Sequence, residues 1–455
     1  MADKQNNLYC LGMTPEKLAE KVLEDKYGEE TPSIPINPFK LMRDYGIVYQ
    51  FMGFKDLEGI YLVPEDIADV AVVGINYKRN ITRQRYTAAH ELCHHLKDRQ
   101  NEACPIGSKD EIERFAEKFA AELLMPKKVF CSAAQKYMDN GKVSLDGALR
   151  LADYFGVSFR SCVLRLAYTF HILDGEYSDL NKRISRYKPD KKKVELGIDV
   201  ENIELLAQAV DSYQFYFQIK EDIVWHRFKN DFIYNENRME GLDIDEDEVA
   251  EIVTDLRMNR QKSAFCEESY EDMIQVVGHA ALYDYIIETN DKLSIYKILD
   301  LNKKLFQYAP FPEESGKTRT DNNLVLGTKF ETVDWREVAQ ELIKLQGPVD
   351  SLVEQVDELS ISEYLLRAIK IHHRITQIHP FRDGNGRSSR ALLNWMLRLK
   401  GLPPIYFKVT EKMSYYTALE CADEHGEYTE LLRVTIRELF RTIMRMNNEN
   451  EQEPG

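Results

Sequence analysis

At 455 residues the chain is long enough for about three domains and more than one buried core. Its composition, 44% hydrophobic and 30% charged, is that of an ordinary globular protein. A formal net charge of -16 argues against a general nucleic-acid-coating or membrane-surface role.

Cys10, Cys93, Cys104, Cys131, Cys162, Cys266 and Cys421 are scattered without CxxC pairing, which reads as reduced thiols. The first residues, MADKQNNLYCLG, hold no apolar signal core, and runs such as AVVGI (71–75) are too short to span a bilayer. A cytoplasmic protein is expected. No fixed-period repeat is present.

In chain order, the first half mixes strands with helices. GIYLV (59–63) and DVAVVGINY (69–77) are β-branched or aromatic runs bounded by polar residues, and are predicted strands. Helices are predicted over 82–97, 110–125 and about 144–172. The second must stop at Met125-Pro126, because proline disfavours helix in the residue before it. YTAAHELCHH, on the first helix, sets His90, Glu91 and His94 in HExxH spacing. On a helix, i and i+4 put both imidazoles on one face, where they can share Zn²⁺. Glu91, offset toward an open coordination position, can deprotonate a zinc-bound water. On the second helix Ile112, Phe115, Phe119 and Leu123 form the apolar stripe. Glu113 lies off it as a candidate third ligand, and Glu117, one turn on, is its rival.

With LEGIYLV and INYKRNITRQRYTAAHE before them, these two segments resemble the ImmA/IrrE family of metallopeptidases over about 15–172. Members read roughly FTxAHELGH, then ExxAxxFAxxLLMP, and Glu113-Arg114-Phe115-Ala116 fits ExxA. The resemblance implies an α+β zincin-like domain with His90, His94 and Glu113 on zinc and Glu91 as catalytic base. It also implies a peptidase that cuts one repressor or antitoxin-like partner. Cys93 stands where the family has glycine, and His95, next to His94, is expected at the surface or behind the ligands. A non-hydrolytic partner-binding or sensor module, or a DNA-binding regulator that the acidic balance disfavours, is the alternative reading of this half.

VSLDGALRLADYFGVSFRSCVLRLAYTF (143–170) reads as two helices joined at Gly156, with a helix-turn-helix flavour. Arg160 and Arg165 are too few for a DNA face in an acidic chain, so core packing or partner docking is expected and nucleic acid is not. RISRYKPDKKKVELGIDVEN is charged and lacks helical apolar spacing. The expected division is therefore a first domain over 1–182, a linker over 183–202, a second domain over 203–446 and a disordered tail over 447–455.

The second half is overwhelmingly helical. YNENRMEGLDI closes a helical run at Glu240-Gly241, and NNLVLGTKFET (322–332) is its hairpin candidate, turning at Gly327. Tyr364, Ala368, Ile371, Ile375 and Ile378 alternate spacings of four and three, a buried stripe leading into His379. There HPFRDGNGRSSR (379–390) begins, followed by the apolar helical run ALLNWMLRL. Gly384, Asn385 and Gly386 can turn backbone N–H groups toward an anion, and the helix start adds a positive dipole end. Arg387 and Arg390, i and i+3, share a face in the first turn. Cations there oppose the dipole unless a polyphosphate sits between them. His379 can take a proton from a hydroxyl nucleophile, and Asp383 offers a hard oxygen ligand to Mg²⁺. Together these groups suggest transfer of a phosphate-linked group.

The stretch resembles the signature of the Fic (Fido) family, HPFx[DE]GNGRxxR, at every specified position, and the resemblance extends across roughly 205–450. It implies a mainly α-helical domain with a small β-hairpin flap that holds a target segment by strand addition. The implied activity is transfer of AMP from ATP to a Ser, Thr or Tyr hydroxyl of a protein substrate. His379 is then the general base and Asp383 the Mg²⁺ ligand. Gly384, Asn385, Gly386, Arg387 and Arg390 hold the phosphates, Phe381 packs under the loop and Tyr416 borders the adenine. ENRMEGL is similar to the family's inhibitory [ST]xxxE[GN] helix. Asn237, Met239, Glu240 and Gly241 fit, while Glu236 replaces Ser/Thr and Leu242 replaces the last Asn. The resemblance implies that Glu240 pairs with Arg390 and competes for the donors a γ-phosphate needs. A homodimer is left open as a further assembly.

Overall fold

The computed structural model describes residues 12–28, 32–63, 70–97, 102–105, 111–199, 202–217, 221–257, 270–309, 315–323 and 332–450. Two compact units emerge, one running to Ser212 and the other from Tyr213 to Met446. Among the described residues no helix is long and apolar enough to cross a membrane.

The first unit is built on a four-stranded sheet of β1 (Val48–Met52), β2 (Leu57–Leu62), β3 (Val72–Asn76) and β4 (Glu102–Pro105), in the order β1-β3-β2-β4. β1 runs parallel to β3, and β2 runs antiparallel to both β3 and β4. The two predicted strands are β2 and β3. The helix predicted over 82–97 spans Ile81–Lys97, and the one over 110–125 spans Glu111–Leu124. Leu92, Leu96, Phe119 and Leu123 bury their side chains in one core with Tyr49 and Tyr61 of the sheet. That packing fixes the two helices side by side and carries the burial that stabilises them.

The helix-turn-helix-like segment folds as Leu145–Phe155 and Phe159–Leu164, with Gly156 left-handed between them at φ 61°. Arg165 is turned inward. It is 5% exposed, and its guanidinium donates to both carboxylate oxygens of Glu122 at 2.8 and 2.6 Å and to the Met125 carbonyl at 2.8 Å. This arginine joins two helices inside the core. Arg165→Ala strands a buried Glu122 carboxylate and is expected to destabilise this unit by about 3–5 kcal/mol. Faster amide hydrogen exchange over 111–170 reads that loss; unchanged exchange contradicts it.

The linker expected over 183–202 is corrected. Helices Leu180–Arg186 and Pro189–Glu195 occupy much of it, and polar contacts bind them to the first unit. Tyr187 stacks on Phe159 with centroids 4.4 Å apart and donates to Asp146 at 2.7 Å, while Lys193 pairs with Asp153 at 2.6 Å. Ile184, Leu196 and Ile198 also pack on the core, but they are too few and too irregularly spaced among charged residues to give an apolar period. The following helix starts at Ile203, yet Gln208 and Asp211 bond Arg85 and Arg43 of the first unit. The division between units consequently falls after Ser212 rather than at 202.

In the second unit, helices Lys229–Glu240, Tyr270–Glu288, Lys297–Leu305, Ile361–Ile378 and Asn385–Leu399 surround the signature loop. The Asn385–Leu399 helix is buried on almost every side, with Leu392, Leu393, Trp395, Met396 and Leu397 at 1% exposure or less. The last helix runs Thr429–Asn450, four residues into the tail expected to be disordered. Its stripe of Leu431, Leu432, Leu439 and Ile443 is buried and carries the helix past the last apolar residue. Residues 451–455 and most of the hairpin candidate (324–331) lie outside the described residues.

Candidate active sites

The Ile361–Ile378 helix starts in a capping box. Ser360 Oγ accepts from the Glu363 N–H at 3.3 Å, and the Glu363 carboxylate accepts from the Ser360 N–H at 3.2 Å. Tyr364, Ala368, Ile371, Ile375 and Ile378 are all buried, as the stripe predicts. The helix ends at His379, whose left-handed backbone (φ 50°, ψ 59°) turns the chain into Pro380 and Phe381. A hydrogen bond to the Thr376 backbone fixes the imidazole. Burial first, and the nearby Arg319 charge, push its proton affinity below the ordinary histidine value, so the ring is a free base at neutral pH.

The loop after His379 is rigidly held. Phe381 is 1% exposed beneath it. The Asn385 side chain grips Phe381 from both sides, accepting from its N–H at 2.7 Å and donating to its carbonyl at 2.8 Å. That side chain is therefore engaged in the loop, leaving its backbone N–H as the group placed for an anion. Gly384 is left-handed at φ 76°, and a Cβ there would lie 2.6 Å from the Phe306 ring. Asn302, absent from the sequence reading, donates to the Asp383 carbonyl at 3.0 Å and accepts from the Gly316 N–H at 2.9 Å. Arg319, also missed, is a buried hub. Its side chain donates to the carbonyls of His379 (2.8 Å), Ile378 (3.3 Å), Asp321 (2.8 Å) and Val333, linking Asp321 and Val333 to the end of the Ile361–Ile378 helix.

Arg387 and Arg390 are 5% and 2% exposed. Arg387 donates to Asp383 Oδ1 at 3.0 Å and to Gln275 Oε1 at 3.2 Å, and its guanidinium lies over the Phe306 ring. Arg390 Nη2 donates to Glu240 Oε1 at 2.8 Å, and Arg387 Nε lies 3.8 Å from Glu240 Oε2. Glu240 closes the Lys229–Glu240 helix, and Gly241 follows in the left-handed region at φ 96°. Burial raises the Glu240 carboxyl's proton affinity, but Arg390 and Arg387 outweigh it and hold the group below the usual carboxylate range. A carboxylate thus lies against both arginines. Behind them, His279 is fully buried and pushed down to about 3, by burial first and then by Arg387. His372, bonded to the Ser389 carbonyl and the Tyr415 hydroxyl, is likewise pushed down to about 3 by burial. Tyr416 is 36% exposed, and the Arg390 charge reaches its hydroxyl.

In the first unit, His90, His94 and Glu113 are all buried and bring their ligand atoms together. His90 Nε2 is 3.1 Å from Glu113 Oε2, His94 Nε2 is 3.2 Å from His90 Nε2, and His94 Nε2 is 3.4 Å from Glu113 Oε1. Tetrahedral zinc with bonds of about 2.0–2.1 Å needs ligand atoms about 3.3 Å apart, so the donor set fits that ion in type and spacing. Glu117 is exposed and outside the cluster, leaving Glu113 as the carboxylate of the triad. His95 faces away and hydrogen-bonds the Tyr61 hydroxyl at 3.1 Å. Glu91 is fully buried, and a Cβ on Gly59 of β2 would lie 2.5 Å from its Oε1. A glycine inside a strand, the signal for close approach, marks that position. Gly59→Ala is expected to displace the Glu91 carboxylate while leaving the three ligand atoms in place. A crystal structure with a shifted Glu91 and an unmoved His90, His94 and Glu113 checks this.

Two segments of the chain match known families. Residues 42–167 match the IrrE N-terminal-like domain, and residues 292–397 match the Fic/DOC family. The chain therefore joins an IrrE-like segment to a Fic segment. A stretch of 156 residues is 33% identical to protein adenylyltransferase fic-1 of Caenorhabditis elegans, covering 34% of this chain and 29% of that protein. Over 250 residues it is 25% identical to protein adenylyltransferase Fic of Nematostella vectensis, covering 54% of each. The chain thus spans about half or less of the length of these relatives. Among solved structures, a C. elegans Fic-1 fragment aligns at a TM-score of 0.45 and 18% identity, over 73% of this chain and 88% of that one.

Proposed function

We propose that the second unit is a protein adenylyltransferase that moves AMP from ATP to a Ser, Thr or Tyr hydroxyl of a protein substrate. The observation that carries this reading is the Glu240 carboxylate lying against Arg387 and Arg390 beside the loop of His379, an anion position built of arginine donors. The arginines and the first-turn N–H groups of Asn385, Gly386 and Arg387 bind the phosphates. His379 accepts the hydroxyl proton as the oxygen bonds to the α-phosphorus and pyrophosphate leaves. Asp383, whose side chain is 63% exposed beside Arg387, would hold Mg²⁺, which would neutralise phosphate charge. Tyr416 borders the base of the nucleotide. Glu240 is the inhibitory group, competing for Arg390.

Because His379 is a base already below the ordinary histidine value, its rate profile has a defined shape. Protonation is lost as pH rises through that lowered value, so kcat/KM should be flat at neutral pH and fall only below about 6.5. An acid limb centred above 7 contradicts the assignment.

The first unit is proposed as a zinc peptidase, with His90, His94 and Glu113 holding the ion and Glu91 serving as base, directed at a repressor or antitoxin-like partner. Bound zinc would supply an activated water. Purified chain should carry one zinc, and His90→Ala or Glu113→Ala should lose it by elemental analysis. Glu91→Gln should keep the zinc and abolish cleavage; a partner-docking module without hydrolysis would be unaffected. The transferase reading is tested by intact-mass analysis of Glu240→Gly and Glu240→Gly/His379→Ala after incubation with each nucleoside triphosphate and Mg²⁺. Adenylate addition by the first and not the second is expected. No nucleotide addition to the chain or to added cell protein defeats it.

A further inference from the structure

Glu236 and Glu240 are i and i+4 on the Lys229–Glu240 helix, so both carboxylates face one way. Like charges at that spacing repel, and Arg390 lies between them. Yet the two grip the guanidinium differently. Glu236 takes the inner edge, accepting from Nε at 3.0 and 2.9 Å and lying 2.8 Å from Nη2. Glu240 reaches Nη2 alone, at 2.8 Å. The remaining nitrogen, Nη1, lies beside the glycine loop, where a Cβ on Gly386 would lie 3.0 Å from it, and the Tyr415 hydroxyl also hydrogen-bonds the Arg390 side chain. Their burial differs too. The Glu236 side chain is 1% exposed and that of Glu240 is 28% exposed. One carboxylate is sealed in the core and the other sits at its edge.

We infer that Glu236 is a positioning residue: it fixes the inner edge of Arg390 so that the outer edge, Nη1 with the second Nη2 hydrogen, is presented to a phosphate at the loop. The inference rests on the phosphate role proposed for Arg390. It separates two acidic residues one turn apart into a permanent orienting group and a displaceable competitor. A planar guanidinium offers two parallel donor edges, so a carboxylate and a phosphate can bind it together on different edges. Burial of the pair also compensates the Arg390 charge when no ligand is bound.

The experiment compares full-length Glu240→Gly with Glu240→Gly/Glu236→Ser and Glu240→Gly/Glu236→Gln, measuring ATP and AMP affinity by calorimetry and the ATP KM and kcat of AMP incorporation. The Ser variant should weaken ATP binding tenfold or more. The Gln variant, which keeps one acceptor for Nε, should lose less, and AMP affinity should change in neither. Melting curves identify any variant that fails to fold, and the Gln variant carries the test if Ser does so. ATP bound as tightly or more tightly by the double variants overturns the inference and makes Glu236 a second inhibitory carboxylate. Failure of Glu240→Gly itself to bind ATP overturns the phosphate reading, and this inference with it; the two failures are distinguished by the parent variant alone.

Discussion

Glu240→Gly is expected to incorporate AMP about tenfold to a hundredfold faster than the unaltered chain. A hydrogen bond to a charged group contributes about 1.5–3 kcal/mol, and every 1.4 kcal/mol is a factor of ten. Glu240 uses an Arg390 donor in such a bond and lies within reach of Arg387. A triphosphate must displace it to bind both arginines, so its removal returns that energy to nucleotide binding. Backbone cost is small, because position 240 is the last residue of its helix and a glycine already follows it. Lys412, which donates to the Met239 carbonyl at 2.7 Å, continues to hold the helix end. Initial rates of labelled-AMP incorporation check the prediction, and equal rates in the two chains remove Glu240 from the inhibitory role.

His379→Ala in the Glu240→Gly chain should slow transfer by about 10²–10⁴, the usual contribution of a positioned general base. ATP affinity should change far less, because the arginines and the loop are untouched. The alanine takes the place of a residue with a positive φ, a conformation alanine adopts less readily than histidine. His379→Asn is accordingly the better-folded control, since asparagine accepts that backbone while lacking the base. A large fall in rate with unchanged ATP binding in both variants supports the role. A parallel fall in binding would make His379 structural.

Much of this was legible from residue types and spacing. The stripe from Tyr364 to Ile378 and that of the Glu111–Leu124 helix follow from apolar period, strands β2 and β3 from β-branched and aromatic runs between polar residues, and the signature loop announces itself. β1 and β4 did not show. VYQFM mixes a glutamine and aromatics without alternation, and EACP is four residues ending in proline. The 183–202 stretch reads as a linker because its few core contacts, Ile184, Leu196 and Ile198, are irregularly spaced, and its remaining attachments are polar contacts to distant residues, which carry no period. The supports of the site were hidden for a similar reason. Asn302, Arg319 and Gln275 act from elsewhere in the chain by bonding backbone carbonyls, an N–H group or an arginine. Gly59 and the left-handed Gly384 carried a sequence mark of close approach. Glu236 stood out as a departure from the family pattern, but its grip on Arg390 needed the structure.

The central claim, that Arg390 and its loop form a triphosphate site which Glu240 occupies, is tested most directly by calorimetric titration of ATP with Mg²⁺. Glu240→Gly should bind one ATP per chain, and Glu240→Gly/Arg390→Ala should bind it at least tenfold more weakly. Equal affinities in the two chains would contradict the account.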